Sequence, residues 1–174
     1  MDLGVTIVGT IMISIIIVPF IIVHFKRVNK DNKRIQSLKD YALLHNCQIS
    51  HYEICGNYTI GIDENKKSIF FQNQMKENVD SQHLELSYIR NCKVVIADRK
   101  ISSNGHSNRI IDRIDLLLTP TDKDKVEVKL NFYNAEISMQ LSGELQSVEK
   151  WGNRISDLLK IEVNNNSHLL VKNM

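Results

Sequence analysis

The sequence predicts an α+β protein. An N-terminal transmembrane helix and stalk lead into an antiparallel, partly open β-barrel or sandwich of about seven strands, capped by a C-terminal helix. Three observations predict it. Positions 3–25 form a run of 23 residues without Asp, Glu, Lys or Arg. Beyond position 47, short alternating runs follow one another, divided by turn residues. Near the C-terminus the apolar period changes from two to between three and four.

The apolar run is long enough to cross a bilayer. At 1.5 Å per residue it makes roughly 35 Å of helix, against a hydrocarbon core of about 30 Å. Ile, Val, Met and Phe occupy every side, without the polar face of a soluble amphipathic helix. A cleaved signal peptide starts with positive charge, has a shorter apolar stretch and ends in small residues. Here Asp2 precedes the run, and His24, Phe25, Lys26 and Arg27 close it. The expectation is an uncleaved single-pass helix over positions 1–25. Thr6, Thr10 and Ser14 share one face of it. Such residues either bond back to their own helix or permit close contact with a second helix. Pro19 lacks an N–H, which a helix in lipid can accommodate.

Charge predicts the topology. Positions 26–40 hold six basic residues, Lys26, Arg27, Lys30, Lys33, Arg34 and Lys39, against Asp31 and Asp40, and no Lys or Arg precedes them. The positive-inside rule places the following domain in the cytoplasm and the N-terminus outside. From position 41 onward there are 16 basic and 17 acidic residues, so the basic excess is confined to the membrane-proximal stretch. That suits lipid headgroups and topology. Nucleic acid demands a basic face on the folded domain, and no such partner is expected.

Residues 26–46 continue as a helix. Val28, Ile35, Leu38 and Ala42 stand at heptad-like spacing. A connecting stalk is one reading; a short coiled coil or a helix lying on the membrane is the other. The anchor and stalk therefore allow weak self-association. Cys47, Cys55 and Cys92 are an odd set, read as reduced thiols in the cytosol, with Cys92 in a core.

Strand-like runs follow. CQISHYEI ends at the turn pair Gly56-Asn57, and YTIGID passes through ENKK into SIFFQ. These offer Ile60, Ile62, Ile69 and Phe71 for burial. QNQMKENVDSQ reads as a loop, HLELSYI and CKVVIAD as strands, and RKISSNGHSN as another loop. RIIDRIDLLL, the turn TPTDKDK and VEVKLNFYN complete the set, with Val126, Val128, Leu130 and Phe132 on one face. LSGELQSVEKWGNRISDLLK then reads as a helix with Ser142 as N-cap and Glu144 in the first turn. Its apolar side carries Leu141, Leu145, Val148, Trp151 or Gly152, Ile155 and Leu158 or Leu159. Trp151 reads as an anchor of helix on sheet, and Gly152 costs about 1 kcal/mol against Ala unless something packs closely there. Positions 161–174 read as a loose tail.

GIDENKKSIFFQ, LELSYIRNCKVVI, RIDLLL, VEVKLNFYN and ELQSVEKWGNRISDLL together resemble the strand order and terminal helix of pleckstrin-homology-like domains. More narrowly, the chain resembles small bacterial membrane proteins of unassigned function, of the Bacteroidetes kind, with one N-terminal helix and such a domain. The resemblance covers about positions 47–160 and implies an inner-membrane protein. Members that bind phosphoinositides carry basic residues around the first hairpin; the turn Cys55-Gly56-Asn57-Tyr58 has none.

Chemistry-bearing patterns are sparse. His45, Cys47, His51 and Cys55 are metal-ligand types, yet residues four apart in a strand lie about 13 Å apart, too far for one zinc. Ser103, His106 and Ser107 are sequence neighbours without a third group to orient a base. Asp112 and Asp115 fall on opposite strand faces, and Asp112 shares a face with Ile110, Ile114, Leu116 and Leu118. No catalytic, cofactor or metal site is expected, and the chain is read as a non-enzymatic, membrane-anchored module that binds a protein or peptide. The other reading is a module that binds anionic lipid through its basic stretch.

Overall fold

The computed structural model describes the backbone of residues 3–74, 78–103 and 106–172, and the side chains of residues 12–74, 78–100 and 109–161. The chain divides into two compact units, residues 1–37 and 38–174. The first unit is helix. It is the greater part of α1 (Leu3–Leu44), which includes Pro19 and runs through the basic stretch without a break.

The second unit begins with the last turns of α1. The helix ends where Asn46 adopts φ +56°. The Cys47 N–H donates to the Ala42 carbonyl at 2.9 Å and the Asn46 N–H to the Leu43 carbonyl at 2.9 Å. This is a Schellman closure, with Asn in the left-handed position usually taken by Gly. Its apolar contact is present too, since Ala42 and Cys47 are buried together with Leu38 and Phe70.

Four antiparallel strands follow in the order β1-β2-β3-β4: β1 (His51–Cys55), β2 (Tyr58–Asp63), β3 (Ser68–Gln74) and β4 (Val79–Glu85). A 3-10 turn, Leu86–Tyr88, leads to the second sheet. That sheet has the order β5-β6-β7: β5 (Ile89–Ser103), β6 (His106–Pro120) and β7 (Val128–Asn134). The chain closes with α2 (Glu144–Lys172). The β-structure is thus two sheets, and among the described residues no ladder joins them into a closed barrel.

One core lies between the sheets. Tyr58, Ile60, Ile62, Ile69 and Phe71 face Ile114, Leu116, Leu118, Leu130 and Phe132. Tyr58, Phe71 and Phe132 form its aromatic centre, with ring centroids 4.5–5.4 Å apart. β2 is buried along its whole length, on both faces. Its second face lies under the end of α1. Phe70 packs there against Leu38 and Ala42, and a Cβ on Gly61 would come within 2.8 Å of a Leu38 methyl. Leu38 and Ala42 therefore pack on their own domain, which takes them out of a coiled-coil seam.

Asp63 fastens the connecting segment. Its carboxylate accepts from the Gln48 N–H at 2.7 Å and the Lys66 N–H at 3.0 Å. Burial alone would raise this acid, but the backbone donors of Lys66, Gln48 and Asn65 outweigh burial and hold it below its ordinary value. Lys66, in the turn between β2 and β3, donates to the Asn46 carbonyl.

Several element boundaries differ from the expectation. Residues 47–50 are not strand but a strap tied down by Asp63, and β1 starts at His51. Residues 72–74 and 79–82 extend β3 and β4 into the expected polar loop, because cross-strand pairs such as Gln72 with Ser81 satisfy them. Residues 99–103 and 106–108 extend a long β5–β6 hairpin, where a loop was expected. Val126 lies outside β7 and is 86% exposed. Ser142 is not the N-cap: α2 starts at Glu144, the Ser147 N–H donates to the Gly143 carbonyl, and the Glu144 carboxylate accepts from the Ser142 N–H. The expected tail is helical as far as Lys172.

Asp112 has a local cause. Ala97 pairs with Arg113 and Asp98 with Ile111, so Asp112 is the extra residue of a β-bulge. Its carbonyl accepts from the Ala135 N–H at 2.9 Å. The bulge reverses the inward parity. Ile114, Leu116 and Leu118 point inward after it, Ile111 packs on the core before it, and Ile110 is exposed.

Gly61→Leu is expected to cost about 1–3 kcal/mol of unfolding free energy by overpacking against Leu38. In urea titrations of the detergent-solubilised chain followed by Trp151 fluorescence, Gly61→Leu combined with Leu38→Ala should lose less than the two single losses added. Strict additivity would contradict the contact.

Candidate functional site

The position of α2 decides which sheet edge is open. Its apolar side places Val148, Trp151, Ile155 and Leu159 in the core, and Trp151 is 2% exposed. The Trp151 Nε1–H donates to Glu53 Oε2 on β1 at 3.1 Å, and Lys150 Nζ donates to the same oxygen at 2.7 Å. Burial would raise the Glu53 carboxyl, yet the hydrogen bonds from Lys150 and Trp151 keep it below its ordinary value. Arg154 Nη2 donates to Glu64 Oε1 at 2.6 Å, and this bond chiefly holds the Glu64 carboxyl low. These contacts fasten α2 to the first sheet.

On the other side α2 meets the second sheet at Gly152. A Cβ there would lie 3.2 Å from a Val94 methyl and 3.4 Å from a Leu116 methyl. The expected penalty of a helical glycine is thus matched by close packing. Trp151 and Gly152 are neighbours that face different sheets, and α2 lies across the gap between them.

An open groove of about 630 Å³ runs between α2 and the start of β5, lined by Arg90, Asn91, Cys92, Asn153, Ser156, Leu159 and Lys160. β5 is an edge strand of 15 residues. Arg90, Asn91, Lys93 and Val95 on it are exposed. Cys92, expected in a core, is half-buried and packs on it from the groove side. Burial pushes its thiol up to about 11, so it stays protonated near neutral pH and is a poor nucleophile. The arrangement suits binding of an extended chain: an edge for backbone pairing, a partly apolar floor, and Arg90 and Lys160 at its sides.

The other residues singled out from the sequence are dispersed. Lys26, Arg27, Lys30 and Lys33 are exposed along α1, and Arg34 lies on the same helix. Lys39 is exposed, with its ammonium 5.6 Å from the Tyr52 ring centre. Ser14 is exposed, while the side chains of Thr6 and Thr10 lie outside the described residues. Cys47 is buried beneath α1, His51 stands 3.8 Å from Glu64, and Cys55 lies 3.8 Å from the Ser142 carbonyl. The side chains of Ser103, His106 and Ser107 lie outside the described residues. Asp112 pairs with Arg99 at 3.2 Å, and Asp115 pairs with Arg113 at 3.1 Å and accepts from Asn131 at 2.7 Å. Sequence reasoning missed Glu53, the groove and a stack of His45 on His83. The alternation of HYEI already put Glu53 opposite Tyr52 and Ile54, but nothing local linked it to a tryptophan about a hundred positions away.

Comparison with known protein families, curated proteins and solved structures gave no match to this chain. α1 contains a segment long and apolar enough to span a membrane, a measure that signal sequences also meet.

Glu53 gives the site a pH signature. Its folded carboxyl lies below the ordinary value of 4.5, so its stabilisation is complete above that value and is lost as pH falls through the folded one. Glu53→Gln should cost about 1–2 kcal/mol at pH 7 and less at pH 3, measured by urea unfolding at both. An equal cost at the two pH values would contradict the charged link to Lys150.

Proposed function

We propose that this protein is a single-pass inner-membrane protein whose cytoplasmic domain is pleckstrin-homology-like and binds an extended segment of a partner protein along β5. The observation that carries the reading is the 15-residue edge strand beside the open groove with α2. Strand addition supplies affinity through main-chain bonds, and side-chain pockets supply selectivity. Arg90, Lys93 and Lys160 favour an acidic segment. Seven antiparallel strands in sheets of four and three, followed by one helix packed across them, support the domain assignment. The uncharged run ahead of Lys26, Arg27, Lys30 and Lys33 supports the anchor, with the basic stretch at the cytoplasmic headgroups.

A labelling enzyme fused after Met174 tests both parts in intact cells. It should tag cytoplasmic proteins. The combined variant Arg90→Glu, Lys93→Glu and Lys160→Glu should lose its main tagged partners at unchanged membrane abundance. Tagging of proteins outside the cytoplasmic membrane would contradict the topology. An identical tagged set in the variant would contradict the β5 site.

A further inference from the structure

Four rings gather on the outer face of the first sheet. Tyr41 comes from the last turns of α1, His45 from its C-cap, Phe70 from β3 and His83 from β4. His83 lies between two of them. Its ring stacks on Phe70 at 4.7 Å and 10°, and the His45 ring covers it at 4.1 Å and 35°. Tyr41 meets His45 edge-on at 5.1 Å and Phe70 edge-on at 5.9 Å. Register explains the stack, since Phe70 and His83 are direct cross-strand partners.

The stack has one chemical peculiarity. His83 Nε2 is buried and has no hydrogen-bond partner. A neutral imidazole tolerates this with its acceptor nitrogen, whereas an imidazolium has an N–H on both nitrogens and would bury an unmet donor. We propose that the His45–His83 stack is an acid-sensitive latch: when His83 takes up a proton, His45 and the segment behind it loosen from the sheet.

The surrounding charges set the direction. Burial is the main effect that depresses His83 below the ordinary 6.5, the neighbouring His45 adds to it, and Glu85 on β4 opposes it. From the connecting strap, Cys47 donates its thiol hydrogen to the His45 carbonyl, and from the β2–β3 turn Lys66 bonds the Asn46 carbonyl. Tyr41 is the titratable group of the α1 end in ring contact with the pair. Because His83 is depressed in the latched form, the released form binds protons more readily. Latching is therefore complete above about pH 6.5 and weakens as pH falls. Asp63, which ties the same strap, is held below 3.8 and stays ionised throughout this range.

Amide hydrogen exchange on the full chain in detergent, expressed as protection factors, tests the latch. Peptides covering residues 42–50 should lose at least tenfold protection between pH 7.5 and 5.0, while those of β2 and β3 hold theirs. His83→Phe keeps the stack but cannot be protonated, and should remove the pH dependence; His45→Phe removes only the smaller contribution of His45 and should lessen it. Trp151 fluorescence reports whether each variant is folded. Constant protection in the unaltered protein, or an undiminished acid loss in a folded His→Phe variant, would overturn the proposal.

Discussion

The fold depends on how α2 is held across the gap between two sheets. Two antiparallel sheets of four and three strands share one apolar interior, and among the described residues no strand ladder joins them. Without a third element the core would be open to water along one side. α2 covers that side with neighbouring residues of opposite character. Trp151 fills volume and bonds Glu53 of the first sheet, while Gly152 removes volume so that the helix can approach Val94 and Leu116 of the second. A larger residue at 152 would lift the helix, and a smaller one at 151 would leave a cavity and take one of two donors from the Glu53 carboxylate.

The same placement distributes the open edges. β1 is tied to α2 through Glu53, so its free side is bordered by the helix. β5 lies beside the other flank of α2, where a groove is left. A long edge strand is a liability in water, and this one carries the usual protections: Arg90, Lys93, Arg99 and Lys100 along it, and a bulge at Arg90, between Ile89 and Asn91. Those protections discourage pairing with an apolar or basic strand. They leave an acidic strand as a compatible partner, which is why the edge and its charges are read together.

The outer face of the first sheet is governed by a different requirement. β2 and β3 are buried on both sides, and the end of α1 supplies the second cover. This explains which parts of the fold were legible in the sequence. Inward residues with simple alternation, such as Ile60, Ile62, Leu130 and Phe132, were readable because one face pointed to one core. Phe70 and Gly61 broke that alternation for a reason located about 30 positions earlier, at Leu38. The polar runs 72–74, 79–82 and 99–103 lacked apolar signal because cross-strand pairing, rather than apolar burial, holds them in the sheets. The bulge at Asp112 reversed parity within one strand, which period counting cannot anticipate. Of the site, Trp151 and Gly152 stood out as anchor and exception. The groove, Glu53 and the His45–His83 stack arise from chain crossings that leave no local mark.

α2 closes the sandwich and, among the described residues, leaves β5 as an unpaired edge. Residue-resolved amide exchange along β5 tests it most directly. The account predicts protection that alternates: amides bonded to β6 are slow, and those facing the groove approach the rate of free peptide. Uniformly slow exchange along β5 in the isolated full-length protein would mean that its outer edge is already paired, and would contradict the account.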